Sequence, residues 1–416
     1  MTITLHKSKI KNDSPSVIIT GSKSESNRLL LLQAIYPDIK IENLSDSDDS
    51  NVMQLALKSE SSIIDVHHAG TAMRFLTAFF STQEGKEITL TGSSRMKERP
   101  IQVLVEALNS LGADIAYLET DGCPPLKIKG KTLTKDKVTL KANVSSQYIS
   151  ALLLIAPKLK NGLKLTLEGD ITSVPYINMT LELLNQIGVK TSFKENVIIV
   201  HQNTAPKATD SITVESDWSS ASYFYSIIAL SEIGTKITLS SYKQNSLQGD
   251  SILLDLYRHF GVITTFEDNL ITLQKSENVK KQSTINFDLS NSPDIAQTIA
   301  VTSFALGLEC HLTGLHTLKI KETDRLLALK TEIEKLGGQV KITDDSLHLK
   351  SNTLFASLMS SSLNEAITTY NDHRMAMAFA PLALKTSIQI EDAMVVTKSY
   401  PTFWQDLKSI GFKITQ

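Results

Sequence analysis

The chain has 416 residues, 41% of them apolar and 21% charged, with a net charge of −2. That describes an ordinary globular protein, long enough for two domains or one large one. It excludes general affinity for nucleic acid or anionic membrane, so any anion site must be local and built from a few placed cations.

The first ten residues, MTITLHKSKI, alternate from the start and carry neither an apolar signal core nor an Arg/Ser-rich transit segment. Cys123 and Cys310 show no metal spacing and no disulfide framework. No stretch reaches the length of a membrane span. The expectation is a cytoplasmic protein. Of the 42 Lys and Arg residues only seven are arginine: Arg28, Arg74, Arg95, Arg99, Arg258, Arg325 and Arg374. Lysine serves as the general surface cation, so the scarce arginines, whose planar fork matches carboxylate and phosphate, point to anion recognition.

In chain order, TGSKSESNRLLLLQAIY (20–36) is a Gly/Ser loop feeding an apolar helix that should begin near Ser26 or Asn27. Free N–H groups and a partial positive charge gather at such a helix start, and Lys23, Ser24 and Arg28 add donors. The spacing is not that of a Walker A loop. HHAGTAMRFLTAFF (67–80) opens a second apolar helix at Gly70-Thr71, with Arg74 one turn in. An arginine in that setting needs a buried anionic or carbonyl partner. His67 and His68 point in different directions and make a poor shared metal site. In TGSSRMKERPIQVLVEAL (91–108), Pro100 fits the first helical position, leaving Arg99 at a helix entrance.

ANVSSQYISALLLIAP (142–157) places the uncharged donors Ser145, Ser146 and Gln147 before another apolar helix, and Ser173 and Tyr176 repeat the arrangement. Asp294 begins the helix in SNSPDIAQTIAVTSFAL, and Asp372, His373 and Arg374 begin the one in TTYNDHRMAMAFAPLAL. KIKETDRLLALK (319–330) packs Lys321, Glu322, Asp324 and Arg325 onto a first helical turn. Lys398 comes to a strand end before Pro401. Taken singly, each is a well-capped helix. Taken together, at least seven helix starts bear cations or hydroxyls, and six of the seven arginines lie in or beside them. If those helices converge, they make a large anion site in a cleft.

A phrase also repeats: an apolar helix end, a glycine, then a strand, at Gly112, Gly188, Gly261, Gly337 and Gly411, about every 75 residues. Each glycine fits the left-handed position that ends a helix. A sixth, degraded copy lies at LALKSESSIIDV (55–66). Hairpin signals such as TFEDNLITL (265–273) predict mixed sheets in an α/β protein.

The motifs GSKSESNR, AGTAMRF, RMKERP, SSQ, KETDR and DHRMAMAFA occur in this order over nearly the whole chain. In that combination the sequence resembles the EPSP synthase (3-phosphoshikimate 1-carboxyvinyltransferase) family of enolpyruvyl transferases. The resemblance implies two α/β domains, each of three βαβαββ repeats with mixed sheets and helix N-termini facing the interdomain cleft. One domain would span residues 21–214, and the other residues 1–20 with 215–416, with hinge crossings near 20 and 214. It implies transfer of the enolpyruvyl group of phosphoenolpyruvate to the 5-hydroxyl of shikimate 3-phosphate, by a monomer, without metal or organic cofactor.

Carried over by position, Lys23, Ser24, Arg28, Ser145, Ser146, Ser173, Asp294, Thr317 and Lys321 would hold shikimate 3-phosphate. Lys23, Gly70, Arg99, Gln147, Arg325, Arg374 and Lys398 would hold phosphoenolpyruvate. Asp294 is the expected base at the hydroxyl and Glu322 the acid and later base at C3 of the enol, with Lys23 assisting. The chain departs from the family pattern at His68 and Thr317, where asparagine is common, and at Phe75, where proline is common.

Two rival readings stand beside this one. The first is the related transferase acting on UDP-N-acetylglucosamine, which is expected to use a loop cysteine; Cys123 lies in a comparable part of the chain. The second is a non-catalytic anion-binding protein on the same scaffold. Cys123→Ser separates the first rival: phosphate release from shikimate 3-phosphate and phosphoenolpyruvate should stay near the wild-type rate, and its loss would favour the nucleotide-sugar enzyme.

Overall fold

The structure, a computed structural model, describes residues 1–141, 145–169, 171, 174–204, 211–277, 284–351 and 366–416. Ser173 lies outside the described residues. The chain divides into two compact units, Gly21–Val214 and Met1–Thr20 together with Glu215–Gln416.

The repeated glycines do what their spacing suggested. Gly112, Gly188, Gly261, Gly337 and Gly411 all have positive φ, between 81° and 123°. Each ends a helix in the left-handed region, which a residue without Cβ enters at little cost. A strand follows each one and turns back on an antiparallel neighbour. Val262–Glu267, for example, pairs with Leu270–Lys275 around Asp268 and Asn269, both at positive φ as a tight hairpin requires.

Among the described residues the result is five four-stranded sheets of one design, a parallel outer pair continued by two antiparallel pairs. One contains Ile63–Asp65, Glu87–Thr91, Leu126–Lys129 and Asp114–Tyr117 in that spatial order. Two others draw a strand from the N-terminal segment. Ile3–His6 lies between Ile388–Ile390 and Lys413–Thr415, and Ser16–Val17 runs beside Lys236–Leu239. The sixth copy is truncated. Its helix Asp48–Lys58 ends at an extended Ser59, and Ile63–Asp65 pairs with Glu87–Thr91 to open the next sheet instead of closing a hairpin. Among the described residues, only the pair Ile41–Glu42 and Ile212–Thr213 remains of its sheet.

Two kinds of helix pack against these sheets. The outer kind is amphipathic: Gln102–Leu111 buries Leu104, Val105, Leu108 and Leu111 along one stripe. The inner kind is buried all round. In the first unit Gly70–Ser81 has all twelve residues buried, and Ser146–Ile155 all but Gln147. In the other, Trp218–Leu230 is buried except at Ser219, and Ala296–Ala305 and His373–Phe379 are buried throughout. Each Leu or Phe so enclosed contributes about 1.5–3 kcal/mol. Among the described residues no helix is long and apolar enough to cross a membrane.

The helix-ending glycines differ in what surrounds them. A Cβ on Gly112 would meet nothing nearer than Thr134 Oγ1 at 3.6 Å, whereas one on Gly411 would lie 2.5 Å from the Lys9 carbonyl oxygen. Gly112→Ala should therefore cost only its backbone strain, about 1 kcal/mol. Gly411→Ala adds a backbone clash and should cost roughly 2–3 kcal/mol. Urea unfolding of the two variants measures the order, which equal losses would contradict.

Candidate active site

An inner helix has no water along its length, so its free N–H groups and any charge it carries collect at its N-terminal end. The helix Lys23–Ile35 starts three residues earlier than its apolar run suggested, because Ser24 and Glu25 already take helical positions. Lys23 thus stands at its first turn and pairs with Asp49 at 3.5 Å. Arg28, one turn further, is buried. It donates to Ser24 O at 2.6 Å, Thr180 Oγ1 at 2.8 Å and Ser150 Oγ at 2.9 Å, between the rings of Phe75 and Tyr176. All of those hydrogen-bond acceptors are neutral. Burial lowers its pKa to about 10, which leaves it charged at neutral pH.

Arg74 meets the carbonyl partners expected of it, Gly70 O at 3.2 Å and Pro100 O at 3.1 Å. Its pKa falls to about 10, through burial first and the neighbouring Arg99 second. Pro100 is not the first helical residue. The helix starts at Gln102, and Arg99-Pro100 form the turn before it, freeing the Pro100 carbonyl for Arg74 and for Tyr148 Oη at 2.5 Å. Arg99 lies over Gly70: a Cβ there would be 2.7 Å from Nη1. Its Nε is buried without a hydrogen-bond partner. Gln147 Nε2 donates to Thr71 Oγ1 at 3.2 Å, and Ser145 caps the helix that Ser146 opens. This unit therefore holds Arg28, Arg74 and Arg99 with no carboxylate within ion-pair distance among the described residues. By contrast Arg95, which the sequence grouped with them, makes a surface pair with Glu98.

The other unit treats its cations differently. Asp324, not Lys321 or Glu322, begins the KETDR helix; its carboxylate accepts from the N–H groups of Leu326 and Leu327, both at 3.1 Å. Arg325 is 2% exposed and donates from all three sides, Nε to Asp372 at 2.6 Å, Nη1 to Asp294 at 2.8 Å and Nη2 to Glu322 at 2.8 Å. Asp294 also lies 3.4 Å from Lys321 Nζ and 3.5 Å from Arg374 Nη2. Asp372 caps the next inner helix by accepting from Arg374 N at 2.8 Å. Burial alone would raise Asp294, but Lys321, Arg374 and Arg325 together hold its carboxyl well below the usual carboxylate range. Burial lowers Lys321, although Asp294 opposes it.

The remaining expected residues fall around this cluster. Lys398 ends a 3-10 turn, not a strand, and donates to Asn371 O at 2.6 Å. Thr317 sits in the turn before Lys321 with its hydroxyl buried and without a hydrogen-bond partner. Two acidic residues carry no distinguishing mark in the sequence. Asp49, the partner of Lys23 in Gly21–Val214, looks like an ordinary helix-start residue there, and Asp250, which acts on Arg374 in the other unit, carries no local signal at all.

The sequence model of the EPSP synthase (3-phosphoshikimate 1-carboxyvinyltransferase) family matches residues 54–407. The chain belongs to the EPSP synthase family. Within it, a 3-phosphoshikimate 1-carboxyvinyltransferase of Bacteroides fragilis is 46% identical over 404 residues, covering 96% of both chains. One from Haemophilus influenzae is 36% identical over 427 residues, covering 95% of this chain and 96% of its own. A solved EPSP synthase of Acinetobacter baumannii has the same fold, with a TM-score of 0.78 at 20% identity and full coverage of both chains.

In an EPSP synthase built this way, Arg325 is the structural centre of its unit's charged cluster. Arg325→Met leaves three carboxylates without their guanidinium and should cost roughly 3 kcal/mol at pH 7. The loss should shrink in acid. A carboxyl held low in the folded state adds stability above the ordinary carboxylate range and loses it as pH falls through the lowered value. Urea unfolding at pH 7 and pH 4 reads this, and a deficit that grew in acid would refute it.

Proposed function

We propose that the chain transfers the enolpyruvyl group of phosphoenolpyruvate to the 5-hydroxyl of shikimate 3-phosphate, releasing phosphate. One observation carries the reading: relatives named 3-phosphoshikimate 1-carboxyvinyltransferase match at 46% and 36% identity over nearly their full length. The charges agree with it. Both substrates are multiply anionic, and Arg28 and Arg99 are cations without carboxylate partners within ion-pair distance among the described residues.

In this reading Lys23, Ser24, Arg28, Ser145 and Ser146, with Asp294, Thr317 and Lys321, bind shikimate 3-phosphate. Lys23, Gly70, Arg99, Gln147, Arg374 and Lys398 bind phosphoenolpyruvate. Arg325 needs a qualified role. Its three sides are already given to Asp372, Asp294 and Glu322, so it reaches a substrate only by releasing one of them. Its standing part is to hold the two carboxylates that move protons.

Asp294 takes the proton of the 5-hydroxyl as the oxygen bonds to C2 of the enol, and C3 receives a proton from Glu322. The resulting tetrahedral ketal phosphate breaks its C2–O bond to phosphate as C3 returns a proton to Glu322. A carboxyl held as low as Asp294 is by Lys321, Arg374 and Arg325 is a weak base. Bound phosphate and carboxylate groups neutralise those cations and raise its basicity, which ties proton transfer to occupancy. The two cysteines are free thiols, in keeping with a reducing cytoplasm, where we place the enzyme as a monomer.

Mixing the chain with both substrates and measuring phosphate release tests the reading, and no release under saturating conditions ends it. Glu322→Gln should bind shikimate 3-phosphate at close to wild-type affinity while turnover falls on the order of a hundred- to ten-thousand-fold. Unchanged turnover would remove Glu322 from the chemistry and strengthen the view of a binding protein.

A further inference from the structure

Asp250 lies in the short turn Gly249–Ile252 and is 4% exposed. The turn is anchored by Gln248, which accepts from Trp218 N at 2.9 Å and donates to Ser216 O at 2.9 Å. That fixes Asp250 beside the entrance of the inner helix Trp218–Leu230. The charged groups acting on it are Asp294, Arg374, Asp217 and Lys321. Arg374 in turn feels Asp294, Asp250 and Asp217. Lys321, Arg325 and Arg374 thus stand among five carboxylates, and four of these have hydrogen bonds: Asp217 to Ser220 N, and Asp294, Glu322 and Asp372 to Arg325. Asp250 is the exception. Its Oδ1 is buried without a hydrogen-bond partner, and its side chain makes no ion pair among the described residues.

A capping or structural carboxylate would hold an N–H or a cation in contact, and this one does neither. A fifth negative charge would also oppose the anion-binding role given to Arg374 and Lys321. Building on the function proposed above, we propose that Asp250 is a positioning residue that holds a proton while anionic substrate lies against Arg374 and Lys321. It releases that proton to solvent when the site empties. Binding therefore takes up a proton, and product release returns it. Burial, reinforced by Asp294, pushes the carboxyl up to about 7, inside the range where such exchange occurs. Because the folded value lies above the ordinary one, this group favours folding at low pH and its contribution is lost as pH rises toward 7.

The test compares wild type with Asp250→Asn, which keeps the neutral shape. Titration calorimetry with shikimate 3-phosphate alone is run at pH 8 in two buffers of different ionisation enthalpy. Wild type should take up more protons than Asp250→Asn, by roughly half a proton or more per site. The KM of Asp250→Asn for phosphoenolpyruvate should be about tenfold below wild type at pH 8.5 and within twofold at pH 6. Its thermal midpoint should gain on wild type as pH rises from 5 to 8. A merely structural role would move the thermal midpoint with pH but neither the proton uptake nor the KM ratio, so equal uptake or parallel KM profiles overturn the proposal.

Where Asp250→Asn does not fold, sulfate decides in wild type, because sulfate itself does not titrate in this range. Proton uptake on sulfate binding must be present at pH 8 and absent at pH 5.5, and its absence at both overturns the proposal. A chain that takes up the proton with sulfate yet releases no phosphate from the two substrates contradicts the assigned reaction, not the role of Asp250.

Discussion

Inner helices buried on every side leave this protein one place to put charge. Hydroxyls along their lengths, such as Thr77, Ser222 and Thr302, bond within the core, whereas charged groups gather at the N-terminal turns, where unsatisfied N–H groups and the helix dipole already favour anions. Gly70–Ser81 and His373–Phe379 show the principle in both units: apolar bodies with Arg74 and Arg374 one turn or one residue from the start. The candidate site is thus a consequence of how the cores are built.

The two units solve the resulting charge problem in opposite ways. In Gly21–Val214, Arg28 and Arg74 are buried against hydroxyls, carbonyls and aromatic rings, and the energetic cost of that burial shows in their lowered pKa values. A bound anion would relieve it, in keeping with the anion-holding role proposed for this unit. In the other unit, Arg325 is saturated by carboxylates and holds Asp294 and Glu322 in fixed positions. Breaking such a buried pair leaves an uncompensated charge, so the arrangement is rigid. Rigid carboxylates among cations suit proton transfer, which agrees with the roles proposed for Asp294 and Glu322.

Much of this is legible without any coordinates. The glycine phrase marks five helix ends, and the residues around Asp268 mark a hairpin, because left-handed turns and tight reversals impose local residue choices. The degraded copy near residue 60 is readable as a helix, but not as a copy that has lost its hairpin, since Ile63–Asp65 looks the same whichever sheet it joins. The start of Lys23–Ile35 and the setting of Pro100 differ from expectation for a related reason. Caps are decided by where neighbouring chain can supply partners, and Pro100 is needed for its carbonyl.

The sequence by itself determined the α/β class, the repeat, the scarce arginines and the motifs that place the chain in the EPSP synthase family, since all of these are written in neighbouring residues. Only the tertiary structure decided which charges meet. Arg325 reaches Asp294 and Asp372 across 31 and 47 residues of chain, and Asp250 joins them without any local motif. Electrostatic partnership acts through space over a few ångströms, and the order of residues along a polymer does not encode that distance.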